Sequence, residues 1–147
     1  MTLPISPLYI PNTPGAYLLL LRLEKAVQLD IARWRGQELA SGLYVYAGSA
    51  NGPGGLRARI GRHLKKKKRL HWHIDHITGP AVEIHIQYEP GAQECALLTD
   101  YKKFGDFEIP LKGFGASDCK NCASHFIRLS SVIPSPPSAN WSLARVG

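Results

Sequence analysis

The stretch at residues 15–23 (GAYLLLLRL) limits what this chain can become more than any other. It is an apolar block with Pro14 before it and Arg22 and Glu24 at its far end. A run of this length between breakers and charges reads as a buried strand. Its aliphatic centre, Leu18 to Leu21, is far short of the roughly 20 residues a membrane span requires. A chain of 147 residues is long enough to close one hydrophobic core around such a strand.

The remaining pattern supplies its neighbours. Residues 26–34 alternate, with Val27, Leu29 and Ile31 on one side, and predict a half-exposed strand. Residues 42–48 (GLYVYAG) predict a third, and strands this close in sequence pair antiparallel. A glycine-rich loop at 51–55 precedes a helix over 56–67, with Leu56, Ile60 and Leu64 on one face. A short helix is expected over 71–77, a strand over 81–88 and a helix over 92–104 carrying Leu97, Leu98 and Tyr101 on one side. The expected fold is α+β: residues 15–130 form a small central antiparallel or mixed sheet flanked by helices. Residues 1–14, with four prolines, read as an extended lead-in, and 131–147 as a disordered tail.

Apolar residues make up 44% of the chain and charged residues 20%, which excludes wholesale disorder and rod-like folds. The N-terminus lacks the basic and apolar regions of a secretory signal. Three cysteines are too few for a disulfide scaffold, so a reducing, cytoplasmic setting is expected.

Charge is concentrated. Arg57, Arg59, Arg62, Lys65, Lys66, Lys67, Lys68 and Arg69 fall within thirteen residues that contain no acid. The rest of the chain holds ten cations and eleven acids, so this segment carries the whole excess of +7. Such a cluster is the footprint of phosphate contacts, and DNA is the expected partner. The plainer alternative is a solvated, solubilising face.

Several polar groups are brought together by the same pattern. Tyr17 lies in the first strand, and Tyr44 and Tyr46 share a face of the third strand. Arg59 and His63 are one helical turn apart. Glu94 falls on an apolar helix face, where a carboxylate is expensive to bury unless it is paired or binds a metal.

Gly15-Ala16-Tyr17 followed by Tyr46-Ala47-Gly48 resembles the paired motifs of the GIY-YIG endonucleases. The arginine helix with Arg59 and His63, and Glu94 on the next long helix, follow in the family's order. The phrases YAGSANGPGGLRARIGRHL, HWHIDH and GFGASDCKNCASH resemble the Uri-type, DUF123-like subgroup, which occurs alone or joined to a repair glycosylase. The resemblance covers about residues 14–130. It implies a metal-dependent endonuclease acting on DNA, structure-selective or repair-related, with a repair glycosylase as a candidate partner and no membrane. It implies Tyr17 as general base or proton relay, its pKa lowered by Arg59 and a bound Mg²⁺ or Mn²⁺. Arg59 then clamps the phosphate, His63 orients or relays a proton, Tyr46 hydrogen-bonds nearby and Glu94 holds the metal. Arg57, Arg62 and Lys65 to Arg69 hold the DNA backbone. The long gap between Tyr17 and Tyr46, and the family asparagine missing after Glu94, keep open a nucleic-acid-binding module without cleavage.

Cys119, Cys122 and His125 form a second group at short spacing, with Cys95 a fourth candidate. They read as buried, reduced thiols beside a surface histidine. The alternative is a Cys₃His structural zinc site, and with it a zinc-stabilised binding protein.

Overall fold

Leu18 and Leu20 face one way from the first strand, and Tyr17, Leu19 and Leu21 face the other, so that this alternation divides the core into two layers. The structure is a computed structural model that describes residues 9–65, 69–70, 72–103, 105–115, 122–130 and 141–146. Chain order runs β1 (Gly15–Leu23), β2 (Val27–Gln28), β3 (Glu38–Leu39), β4 (Gly42–Ala50), α1 (Gly55–Leu64), α2 (Asp75–Thr78), β5 (Glu83–Pro90), α3 (Glu94–Lys102), β6 (Phe107–Glu108), β7 (Phe126–Leu129) and β8 (Ser142–Val146). Six strands form one sheet in the order β6-β7-β4-β1-β5-β8, with every neighbouring pair antiparallel. β2 and β3 make a separate two-stranded ribbon. This is the small α+β architecture that the sequence pattern predicts.

β1 is central because it is apolar on both sides. Each fully buried leucine is worth roughly 2 kcal/mol of transfer free energy, and only a two-layered core realises that on both faces. On the Tyr17 side, α1 contributes Leu56 and Ile60, α2 contributes Ile77, and Leu29, Ile31 and Trp34 pack from the segment after β1. On the Leu18 side, α3 lays Leu98 and Tyr101 against Val45, Ala47 and Ile127.

Three expectations are corrected. Residues 26–34 are not a strand: only Val27 and Gln28 pair, and a 3₁₀ turn covers Ala32–Trp34. Leu29 and Ile31 are buried as the alternation required, but they pack against the core with no third strand beside them. The basic helix stops at Leu64, where Lys65 turns to extended backbone. At the C-terminus, residues 142–146 pair with β5 as an edge strand, where a tail was expected. Arg145 explains their docking: its guanidinium donates to the carbonyls of Leu64 at 3.3 Å, Ala81 at 2.6 Å and Thr78, which lie at or just beyond the ends of α1 and α2.

The lead-in has a comparable role at the other end of α1. Ile10 is fully buried, and the carbonyls of Pro11 and Thr13 accept the Arg57 and Leu56 N–H groups, each at 2.9 Å. Gly55 opens the helix at φ 57°, and a Cβ there would strike the Asn12 and Thr13 carbonyls. The chain therefore approaches α1 too closely for any side chain at this position.

Candidate active site

β4 and β5 leave the sheet at the end where β1 enters it, as the pairing of Tyr17 with both Gly48 and Tyr88 shows. The helices that follow them, α1 and α3, thus begin at this same end on opposite faces. That geometry gathers residues from four elements around one phenol.

Tyr17 is fully buried, and its hydroxyl is hydrogen-bonded to His63 Nε2 at 2.6 Å. A Cβ at position 48 would collide with the Tyr17 ring, so the glycine is what lets β4 pass over it. Tyr46 acts on the Tyr17 oxygen through its charge, Arg59 both as a charge and through a hydrogen bond, and Glu94 through its charge. Tyr46 stands edge-on to His63, with ring centres 6.2 Å apart. Glu94 opens α3 with its side chain 31% exposed, and Oε2 lies 3.7 Å from His125 Nδ1. Tyr17, Tyr46, Arg59, His63 and Glu94 are thus neighbours in one electrostatic cluster.

Burial sets the direction of the proton affinities. Burial dominates and raises Tyr17 well above the ordinary phenol value; Arg59 pulls the other way and loses. Burial likewise raises Tyr46, with Glu94 adding to it. Burial therefore favours the protonated phenol at Tyr17, because a residue this deep solvates a phenolate poorly. Burial also lifts the Glu94 carboxyl above its usual range, against the opposing pull of His125 and Arg59.

Trp72 organises the cations. Its ring has the Arg59 guanidinium 4.2 Å from its centre and that of Arg62 at 4.4 Å. Arg62 Nη1 also bonds both oxygens of buried Asp75 at 2.9 Å, and Nη2 donates to the Arg69 carbonyl at 2.6 Å. Asp75 in turn accepts the Trp72 N–H at 2.9 Å. Beside them lies a cleft of about 300 Å³ lined by Ala50, Gly52, Pro53, Gly55, Ala58, Arg59, Arg62 and Trp72. Two of the expected phosphate ligands also have partners within the chain: Arg62 holds Asp75, and Arg57 Nε donates to the Ile10 carbonyl at 2.8 Å. Lys65 and Arg69 are exposed; Lys66, Lys67 and Lys68 lie outside the described residues.

The Cys/His group is also rearranged. Cys95 and Cys122 are joined in a disulfide, not reduced, and His125 is buried at 1% exposure, not on the surface. The pair is 27 residues apart in sequence, and it meets because the start of α3 abuts the segment leading into β7. Cys119 lies outside the described residues.

The family profile of DUF123, described as a domain of unknown function, matches residues 16–140. The chain belongs to the DUF123 family. No curated protein and no solved structure gives a significant match. The DUF123 match spans every candidate site residue and ends before β8. Within this DUF123 domain, Trp72 and Asp75 are the site residues that sequence reasoning missed. Both sit in the quoted HWHIDH phrase, but nothing in a one-dimensional pattern reveals that Asp75 fixes Arg62 and that Trp72 carries two guanidinium groups. Among the described residues, no helix is long and apolar enough to cross a membrane.

Proposed function

We propose that this DUF123 domain is a Uri-like member of the GIY-YIG endonucleases, a metal-dependent enzyme that hydrolyses phosphodiester bonds in DNA, structure-selective or repair-related. The observation that carries the reading is the buried Tyr17–His63 hydrogen bond with Arg59 and Glu94 acting on the same phenol. Two proton-carrying groups, a phosphate clamp and a carboxylate within one cluster are the parts that phosphodiester hydrolysis needs.

The chain's own groups divide the work as follows. Arg59, stacked on Trp72, presents its guanidinium to two phosphate oxygens. Tyr17 stays protonated and hands its proton to His63 Nε2 as it takes one from the attacking water, so His63 is the net base. Tyr46 donates a hydrogen bond to the phosphate or to that water. Glu94 is the residue that would hold Mg²⁺ or Mn²⁺. It fits, because a half-exposed single carboxylate leaves room for the waters and phosphate oxygens that Mg²⁺ retains. When bound, that ion supplies positive charge to the phosphate. Lys65 and Arg69, and the lysines between them, hold the backbone without reading bases. We place the enzyme in the cytoplasm, with a repair glycosylase as candidate partner.

The test is a panel of labelled branched, nicked and damaged DNA with Mg²⁺ or Mn²⁺. Cleavage is expected, and it is expected to vanish in Arg59→Ala and Glu94→Ala while binding persists. The complete burial of Tyr17 favours a second reading, a binding module that kept the fold without cleavage. Tight binding with no cut in any substrate would establish it.

A further inference from the structure

We infer that Cys95, Cys122 and His125 form a structural zinc site, and that the Cys95–Cys122 disulfide is its oxidised, metal-free form. The three residues each offer one ligand atom, and these atoms lie within 4.8 Å of one another. Once the disulfide is reduced, its sulfurs need only part to about 3.8 Å to share a tetrahedral zinc ion with bonds of ~2.3 Å.

His125 is the decisive member. It is 1% exposed, and among the described residues neither ring nitrogen has a hydrogen-bond partner. Its nearest charged neighbour, the Glu94 carboxylate, is 3.7 Å away. A buried imidazole left without hydrogen bonds is costly, whereas a metal ion on one nitrogen satisfies it. The backbone holds this ring in place: His125 N donates to the Phe114 carbonyl at 2.9 Å, and its carbonyl accepts Ala47 N at 2.8 Å. Ser124 adds a hydroxyl bond to the same Phe114 carbonyl at 3.3 Å. Gly115 has φ 69° and lies against Tyr46 and the His125 side chain, so the glycine-phenylalanine-glycine turn wraps the histidine closely. This accounts for the GFG and Ser-His phrases, which the nuclease reading leaves unused.

Cys95, the fourth candidate in the sequence, takes part directly from the first turn of α3, and Cys119 lies outside the described residues. The fourth tetrahedral position falls to water. Forming the site is balanced in two steps. A dithiol reductant reduces the disulfide, giving two thiols and becoming a cyclic disulfide itself. The two thiols then bind Zn²⁺ as thiolates, releasing two protons. Either linkage ties the start of α3 to the strand β7, and so keeps Glu94 at the end of the sheet.

The experiment needs no nucleic acid. The full chain is reduced with dithiothreitol under argon, given excess Zn²⁺, desalted and measured for metal, and parallel samples take Co²⁺. The wild type is expected to retain about one zinc per chain and to show tetrahedral cobalt bands with thiolate charge transfer. Cys95→Ser, Cys122→Ser and His125→Ala are expected to weaken zinc by more than roughly 100-fold in chelator competition, beyond an outer-shell effect. His125→Cys is expected to keep it. A reduced wild type that retains no zinc overturns the inference without reference to any variant's folding. So does equal retention by wild type and all three ligand variants.

Discussion

The Tyr17 hydroxyl and His63 Nε2 stand 2.6 Å apart although 46 positions separate them in sequence. Tyr17→Phe deletes the hydroxyl and this bond to the buried ring, which is expected to cost about 1–3 kcal/mol in urea denaturation. Cleavage is expected to fall by at least 100-fold in the folded variant. A purely structural pair would show the stability loss alone. The pH dependence has a definite sign. A folded-state pKa above the unfolded value gives stability that is present below about pH 10 and lost as pH rises past it. The wild type should therefore weaken above pH 10 by more than Tyr17→Phe does.

Arg59 and Trp72 act together, and their variants should be graded. Arg59→Lys keeps the charge but loses the planar fork, so it is expected to lose most cleavage with little loss of DNA binding. Trp72→Ala removes the ring under Arg59 and Arg62 and is expected to lower kcat about tenfold by loosening the clamp. Wild-type kcat in Trp72→Ala would detach the stack from function.

The basic segment contains two kinds of cation. Lys65→Ala or Arg69→Ala is expected to weaken DNA binding and to reduce the slope of log affinity against log salt by about 1. Arg57→Ala is expected to leave that slope unchanged and to lower stability, because its guanidinium is committed to the Ile10 carbonyl. Asp75→Ala, which strips a fully buried partner from Arg62, is expected to cost about 3 kcal/mol. Salt titrations of binding, with melting curves beside them, separate the two kinds.

Glu94→Gln should abolish cleavage yet not destabilise the protein. Burial raises the Glu94 pKa, so the ionised carboxylate works against folding once the pH exceeds the ordinary carboxylate range of about 4. The variant's Tm is expected to match or exceed that of the wild type at pH 7, by up to a few degrees. The difference should shrink to zero below about pH 4. A large loss of Tm at pH 7 would make Glu94 a structural ion-pair partner of His125.

Local pattern was enough for the strands at 15–23 and 42–48, for α1 and α3, and for the facing Arg59 and His63, since period and breakers act over a few residues. It misread 26–34, where Leu29 and Ile31 are buried without strand partners. It also missed β8, because the five residues of Ser142–Val146 follow a proline- and serine-rich stretch and become ordered only through β5 and Arg145.

Taken alone, the order of residues determined the central strand, the excess of positive charge on one segment and which polar side chains were candidates for chemistry. These follow from side-chain type and spacing. Tertiary structure alone decided that Tyr17 is fully buried against His63, that Arg57 and Arg62 bond Ile10 and Asp75, and that Cys95 meets Cys122 and His125. Desolvation and partner choice depend on what lies across the core, and spacing along one element does not reveal that.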